Sequence, residues 1–134
     1  MRVVIDSNIF VMCMNSSSIY HEIFNKLVKG NFILNVTTEI IFEYIEIFQR
    51  KFGSTKAETL TGFLHESPHV KNTDAFFKWN LIEADPDDNK YVDCYIASYA
   101  DWLVTNDRHF ETLKHNDFPP VRCVTIDEFL KILS

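Results

Sequence analysis

Residues 85–110 read DPDDNKYVDCYIASYADWLVTNDRHF, and this stretch decides the fold. Asp85 offers a helix cap, Pro86 suits the first helical position, and Asp87 and Asp88 put acids into the first turn. Tyr91, Val92, Tyr95, Ile96 and Tyr99 follow at helical spacing and predict a buried face. Trp102 to Thr105 (WLVT) is then a short apolar strand that stops in Asn106-Asp107. A helix that leads into an apolar strand is the repeating half of a parallel α/β sheet, whose strands are buried on both faces.

The rest of the chain repeats that alternation. Arg2 to Ile5 (RVVI) predicts a buried first strand, halted by Asp6-Ser7-Asn8. Ser18 to Lys29 predicts a helix with Gly30 just past its end, and Phe32 to Val36 a second strand. Thr37 or Thr38 caps a helix from about Thr38 to Phe52, whose polar residues Glu39, Glu43, Glu46 and Arg50 form one stripe. Ser54 to Glu66 reads as another helix, while Ser67 to Leu81 gives no clear pattern. A short helix over Arg108 to Lys114, a last strand over Val121 to Val124 and a closing helix over Ile126 to Leu133 complete the chain. The expected architecture is one domain over residues 1–134, with a central parallel sheet of four or five strands and helices on both faces.

Composition narrows the function classes. At 134 residues and 46% hydrophobic, with 12 phenylalanines, the chain can build a bulky core, and its aromatic residues are expected there rather than on a base-stacking surface. Cys13, Cys94 and Cys123 stand apart, without a CxxC pair or zinc spacing, which predicts reduced buried thiols. His21, His65, His69, His109 and His115 show no ligand spacing and read as surface or turn residues. No secretory leader is expected, because Asp6 and Asn8 interrupt the N-terminal apolar run, and no run approaches the ~20 apolar residues of a membrane helix. A soluble, cytoplasmic protein with no membrane association is the expectation. The net charge of −6 opposes simple phosphate binding, which is driven by counterion release to basic surfaces.

The chemistry lies in the acids. Asp6 and Asp107 end two strands, and ligands in parallel sheets gather at that carboxyl edge. Asp93, on the helix before one of these strands, and Glu43, on the polar stripe, belong to helices that start at the same edge. Carboxylates gathered there repel one another unless a cation neutralises them, and Mg2+ or Mn2+ fits an all-oxygen set beside a substrate phosphate. GxGxxG, Walker, GxSxG and HExxH signatures are all missing.

Four segments, VVIDSNIF (3–10), EIIFEYIEIF (39–48), residues 85–110 and VRCVTIDEFL (121–130), resemble in order those of the PIN-domain nucleases, including VapC-type toxins of toxin–antitoxin modules. The resemblance implies a Rossmann-like fold, an endoribonuclease acting on RNA with Mg2+ or Mn2+, and metal ligands or catalytic acids at Asp6, Glu43, Asp93 and Asp107. Asp88 stands open between a fifth ligand and an acid that merely complements the helix dipole. Its separation from Asp93 is a rotation of roughly 140° on an α-helix. Ser7, Asn8, Thr105 and Asn106 match the family's supporting polar shell. The resemblance also implies a protein antitoxin, often with basic segments that lie on the acidic groove, and a homodimer. Lys51, Lys56, Lys71, Lys78, Lys90 and Arg108 remain available for an RNA path. The competing expectations are a non-catalytic PIN-like module that binds RNA or protein, and a phosphoacceptor domain, which lacks here the adjacent acids it needs after the first strand.

Overall fold

The computed structural model describes residues 1–115 and 118–134; the surface position expected of the His115 side chain falls outside the described side chains. Five strands form one parallel sheet: β1 (Arg2–Ile5), β2 (Ile33–Val36), β3 (Val70–Asn72), β4 (Trp102–Val104) and β5 (Cys123–Val124). Their spatial order is β3-β2-β1-β4-β5. The chain therefore winds outward from β1 in one direction, then returns to β1's other side for β4. The carboxyl ends of β1 and β4 flank the switch point at which α/β sheets open a ligand crevice.

Six α-helices connect and cover the strands: α1 (Ser7–Cys13), α2 (His21–Val28), α3 (Thr38–Phe52), α4 (Ser54–Glu66), α5 (Asn89–Ala97) and α6 (Ile126–Leu133). Thr37 caps α3 by accepting from the Ile40 amide at 3.2 Å, and Thr125 and Glu128 form a reciprocal capping box on α6. At the end of α2, Gly30 adopts φ +81° against the His69 imidazole; a Cβ there would lie 2.6 Å from His69 Nε2, so only glycine fits.

The core is continuous through the sheet. Val3, Val4, Ile5, Leu34, Val36, Leu103 and Val104 are essentially without solvent contact. Phe10 of α1 stacks on Tyr44 of α3 with ring centroids 4.1 Å apart, and the Tyr44 hydroxyl donates to the Ile5 carbonyl at the end of β1. This pair holds both helices against the strand that carries Asp6.

Several elements depart from expectation. Residues 7–13 do not simply halt the first strand: Asp6 caps a helix there at once. The unreadable stretch contains β3, three residues of which two are exposed, so no apolar alternation marks it. The helix opened by Asp85 is a 3₁₀ turn over Pro86–Asp88 before α5 begins. Residues Arg108–His115 are likewise 3₁₀ rather than α. Tyr99 is not on the buried face of α5; it follows the helix at φ 55° and is 82% exposed. The aromatic residues are also not all core. Phe76, Phe77 and Phe118 are exposed around Trp79, with ring centroids of Phe77 and Phe118 at 4.6 and 6.0 Å from it.

The Phe10–Tyr44 contact gives a stability prediction. Phe10→Ala should cost about 3–5 kcal/mol in urea unfolding, the usual range for emptying a buried aromatic site. Tyr44→Phe keeps the stack, loses one buried hydrogen bond and should cost about 1–2 kcal/mol.

Candidate metal centre

Asp6 is placed by backbone pairing before its side chain does anything. Its amide donates to the Val104 carbonyl at 3.1 Å, so the end of β1 is locked beside the end of β4. One carboxylate oxygen accepts from the Ile9 amide at 2.9 Å and caps α1. The other accepts from the Thr105 hydroxyl. That same hydroxyl oxygen accepts from the Asp107 amide at 3.1 Å, so Thr105 joins the two strand-end acids. Burial raises the Asp6 pKa, the Thr105 and Ile9 bonds work against that rise, and the nearby Asp107 charge adds to it. The Asn8 amide also acts on this carboxylate and lowers its pKa.

Beyond Asp107 the site continues through His109. The His109 amide donates to Asp107 Oδ1 at 2.9 Å, and its Nδ1 lies 3.3 Å from Asp107 and 3.4 Å from Asp88. Those ring distances exceed a well-made N–H···O bond. Asp85, Asp88 and His109 each present a ligand atom within 4.8 Å of the others. Asp88 is pushed up to about 6, chiefly by burial and further by Asp85 and Asp107, with His109 opposing. Asp88 thus belongs to the strand-end group. Asp85 separately accepts from the Asp87 amide at 3.1 Å and caps the 3₁₀ turn.

Glu43 lies on the other flank of β1 in a different network. Its Oε1 accepts from the Tyr91 hydroxyl at 2.6 Å, and Lys90 bonds its Oε2. The Tyr91 hydroxyl also accepts from the Ser7 amide at 3.1 Å and lies 2.5 Å from the Ser7 hydroxyl. Burial acts to raise the Glu43 pKa, but Lys90, Tyr91 and Ser7 together outweigh it and lower it. Asp93 borders this network, since Lys90 also lines its cleft. It is 5% exposed, accepts from the Trp79 amide at 3.1 Å, and lines a cleft with Thr37, Glu39 and Lys78. Burial raises its pKa against the Trp79 amide and Lys78. The structure therefore brings Asp6, Asp88 and Asp107 toward one another. It sets Glu43 beside them through Ser7 and turns Asp93 toward the Trp79 segment.

Among the supporting residues, Ser7 and Thr105 make the contacts above and Asn106 accepts from the Ile126 amide at 3.0 Å. Asn8 is exposed at the start of α1. Three partners escaped sequence reading. Lys90 is buried and committed to acids, so it is not on a surface RNA path. Tyr91 reads only as a core aromatic, and His109 as a surface residue. For His109 the available signal was its place two residues after a strand-end aspartate. An open groove of about 750 Å3 runs beside it, lined by Leu81, Glu83, Ala84, Arg108, His109 and Thr112.

A five-stranded parallel sheet in this order, with acids at its switch point, defines a Rossmann-like α/β protein with a candidate cation site. The model of the family described as PIN domain matches residues 2–109, and the chain belongs to that family. Among solved structures, the chain is similar to one described as the crystal structure of VapBC2 from Rickettsia felis bound to a DNA fragment from their promoter. The TM-score is 0.64 at 19% identity, covering 93% of this chain and 98% of that one. Comparison with curated proteins gives no match. Among the described residues no helix is long and apolar enough to cross a membrane.

The raised Asp88 pKa has a defined sign. In metal-free protein the folded state holds this proton more tightly than the unfolded chain does. The ionised group therefore destabilises the fold above about 6, and that cost fades as pH falls toward the ordinary carboxylate range. In chelator, Asp88→Asn should raise Tm by a few degrees at about pH 8, with the difference from wild type shrinking toward about pH 5. A difference independent of pH would contradict the placement.

Proposed function

We propose that this protein is a Mg2+- or Mn2+-dependent endoribonuclease and the toxin half of a toxin–antitoxin pair. The observation that carries the reading is the approach of Asp6, Asp88 and Asp107 at the carboxyl ends of β1 and β4, with Asp85 and His109 alongside. The donor set fits the ion. Hard carboxylates predominate, a single imidazole accompanies them, and among the described residues no lysine or arginine forms an ion pair with Asp6, Asp88 or Asp107.

When bound, a divalent ion neutralises charge on the scissile phosphate and activates the attacking water. The protein's own residues supply the rest. The bonds from Ile9 and Thr105 fix the Asp6 carboxylate in orientation, so no reorganisation is needed when a phosphate arrives. Thr105 sets Asp107 at the same time. Arg108, on the wall of the groove beside His109, is placed to meet a neighbouring phosphate of the RNA strand. With a net charge of −6, the protein has little general affinity for nucleic acid, which favours a substrate read by shape and unpaired bases.

The toxin role is supported by family membership together with the fold shared with a VapBC complex. An antitoxin with a basic segment would complement this acidic protein. A homodimer and a cytoplasmic location belong to the same reading. The alternative, a PIN module that binds without cutting, shares the fold and is separated from the first by the acids.

Asp6→Asn and Asp107→Asn should each reduce Mn2+-dependent cleavage of single-stranded RNA by ~100-fold or more while leaving the circular dichroism spectrum unchanged. Undiminished cleavage by both variants would overturn the assignment. A wild-type protein that binds RNA and Mn2+ without cutting would favour the non-catalytic reading.

A further inference from the structure

Lys90 is the least expected residue in the site. Its side chain is 4% exposed, and its ammonium group makes three contacts. They go to the Asp87 carbonyl at 3.0 Å, to Asp87 Oδ2 at 2.8 Å and to Glu43 Oε2. Three donors thus meet three acceptors, and the group has nothing left to offer a substrate. Glu43 is drawn into the same network. Lys90 takes one of its oxygens and the Tyr91 hydroxyl takes the other.

We propose that Lys90 is a built-in cation standing where a second metal ion would otherwise be needed, so that Glu43 is a positioning residue and the protein works with one divalent ion. The inference rests on the metal-dependent reading above and refines it. A divalent ion at Glu43 would have to approach a buried ammonium of like sign or expel it from its acceptors. On the other flank, among the described residues, the acids meet the His109 ring, held at 3.3 and 3.4 Å and half open to solvent, which an incoming ion can displace. The two flanks therefore differ in kind: a saturated lysine balances one, and a loosely placed imidazole stands at the other. Through Tyr91, Glu43 instead anchors the Ser7 amide and hydroxyl, one residue from Asp6.

Mn2+ binding, counted by calorimetry and by electron paramagnetic resonance on the purified protein, tests this without reference to activity. Wild type should bind one equivalent. Glu43→Gln, whose amide oxygen can still accept from the Tyr91 hydroxyl and so keep Ser7 anchored, should leave the Mn2+ Kd within about twofold, whereas Asp88→Asn and Asp107→Asn should weaken it about tenfold or more. Lys90→Met, which frees Glu43 and Asp87, should bind a second equivalent that Lys90→Met/Glu43→Gln lacks. Two equivalents in wild type, a loss of about tenfold or more in Glu43→Gln, or a folded Lys90→Met protein that still binds only one would each overturn the proposal. If Lys90→Met fails to fold, the wild-type count and the Glu43→Gln affinity decide the matter. Folded wild type that binds no Mn2+ at millimolar concentration would overturn the functional reading itself, and the role of Lys90 with it.

Discussion

The Asp6 carboxylate is the join on which the site depends. One oxygen caps α1 and the other receives the Thr105 hydroxyl, while the Asp6 amide binds the Val104 carbonyl. Strand β1, helix α1 and strand β4 are thereby fixed at a single residue. Hydrogen bonds to a charged acceptor contribute about 1.5–3 kcal/mol each, and here they oppose the rise in pKa that burial imposes on Asp6. Behind it, the Phe10–Tyr44 stack and the Tyr44 bond to Ile5 keep the strand end from moving. Asp107 inherits its position from the same Thr105 oxygen, so the two strand-end acids are set as a unit.

Gathering acids in this way raises an electrostatic cost that the fold meets in two places. Lys90 closes the ion pair with Glu43 and Asp87 on one flank, and His109 leans on Asp88 and Asp107 on the other. Burial acts to lower the Lys90 pKa, but its acidic partners outweigh that and raise it, so the lysine stays charged. On the strand-end side burial raises the pKa values of Asp6 and Asp88, as it does that of Asp93 in its own cleft. Uncompensated acids are the property a cation site requires, and they lie where the sheet's topology opens a crevice.

The alternation of helix and apolar strand made the sheet legible, because parallel strands buried on both faces leave an unmistakable pattern. Asp6 and Asp107 were legible for the same reason: a carboxylate within three residues of the end of a buried strand lies at the sheet's edge. What escaped depended on contacts between distant residues. Helix α1 escaped because Ile9, Phe10 and Val11 suit a strand as readily as a helix, and the Asp6 cap that decides between them was read as a stop. Strand β3 is too short and too exposed to show a period. Asp88 and Asp93 could not be ranked by helical rotation, since the chain around Asp88 is 3₁₀ and only Asp93 lies within α5. Nothing local distinguishes Lys90 from a surface lysine; its burial follows from Glu43, 47 positions earlier in the chain, arriving beside it.

The acids thus divide into a candidate cation site at the ends of β1 and β4 and a flank whose charge Lys90 already balances. Anomalous diffraction from crystals grown with Mn2+ measures this directly. One strong peak is expected among Asp6, Asp88 and Asp107, with the Lys90–Glu43 pair intact. A peak bound by Glu43 and Asp93, or none near Asp107, would contradict it.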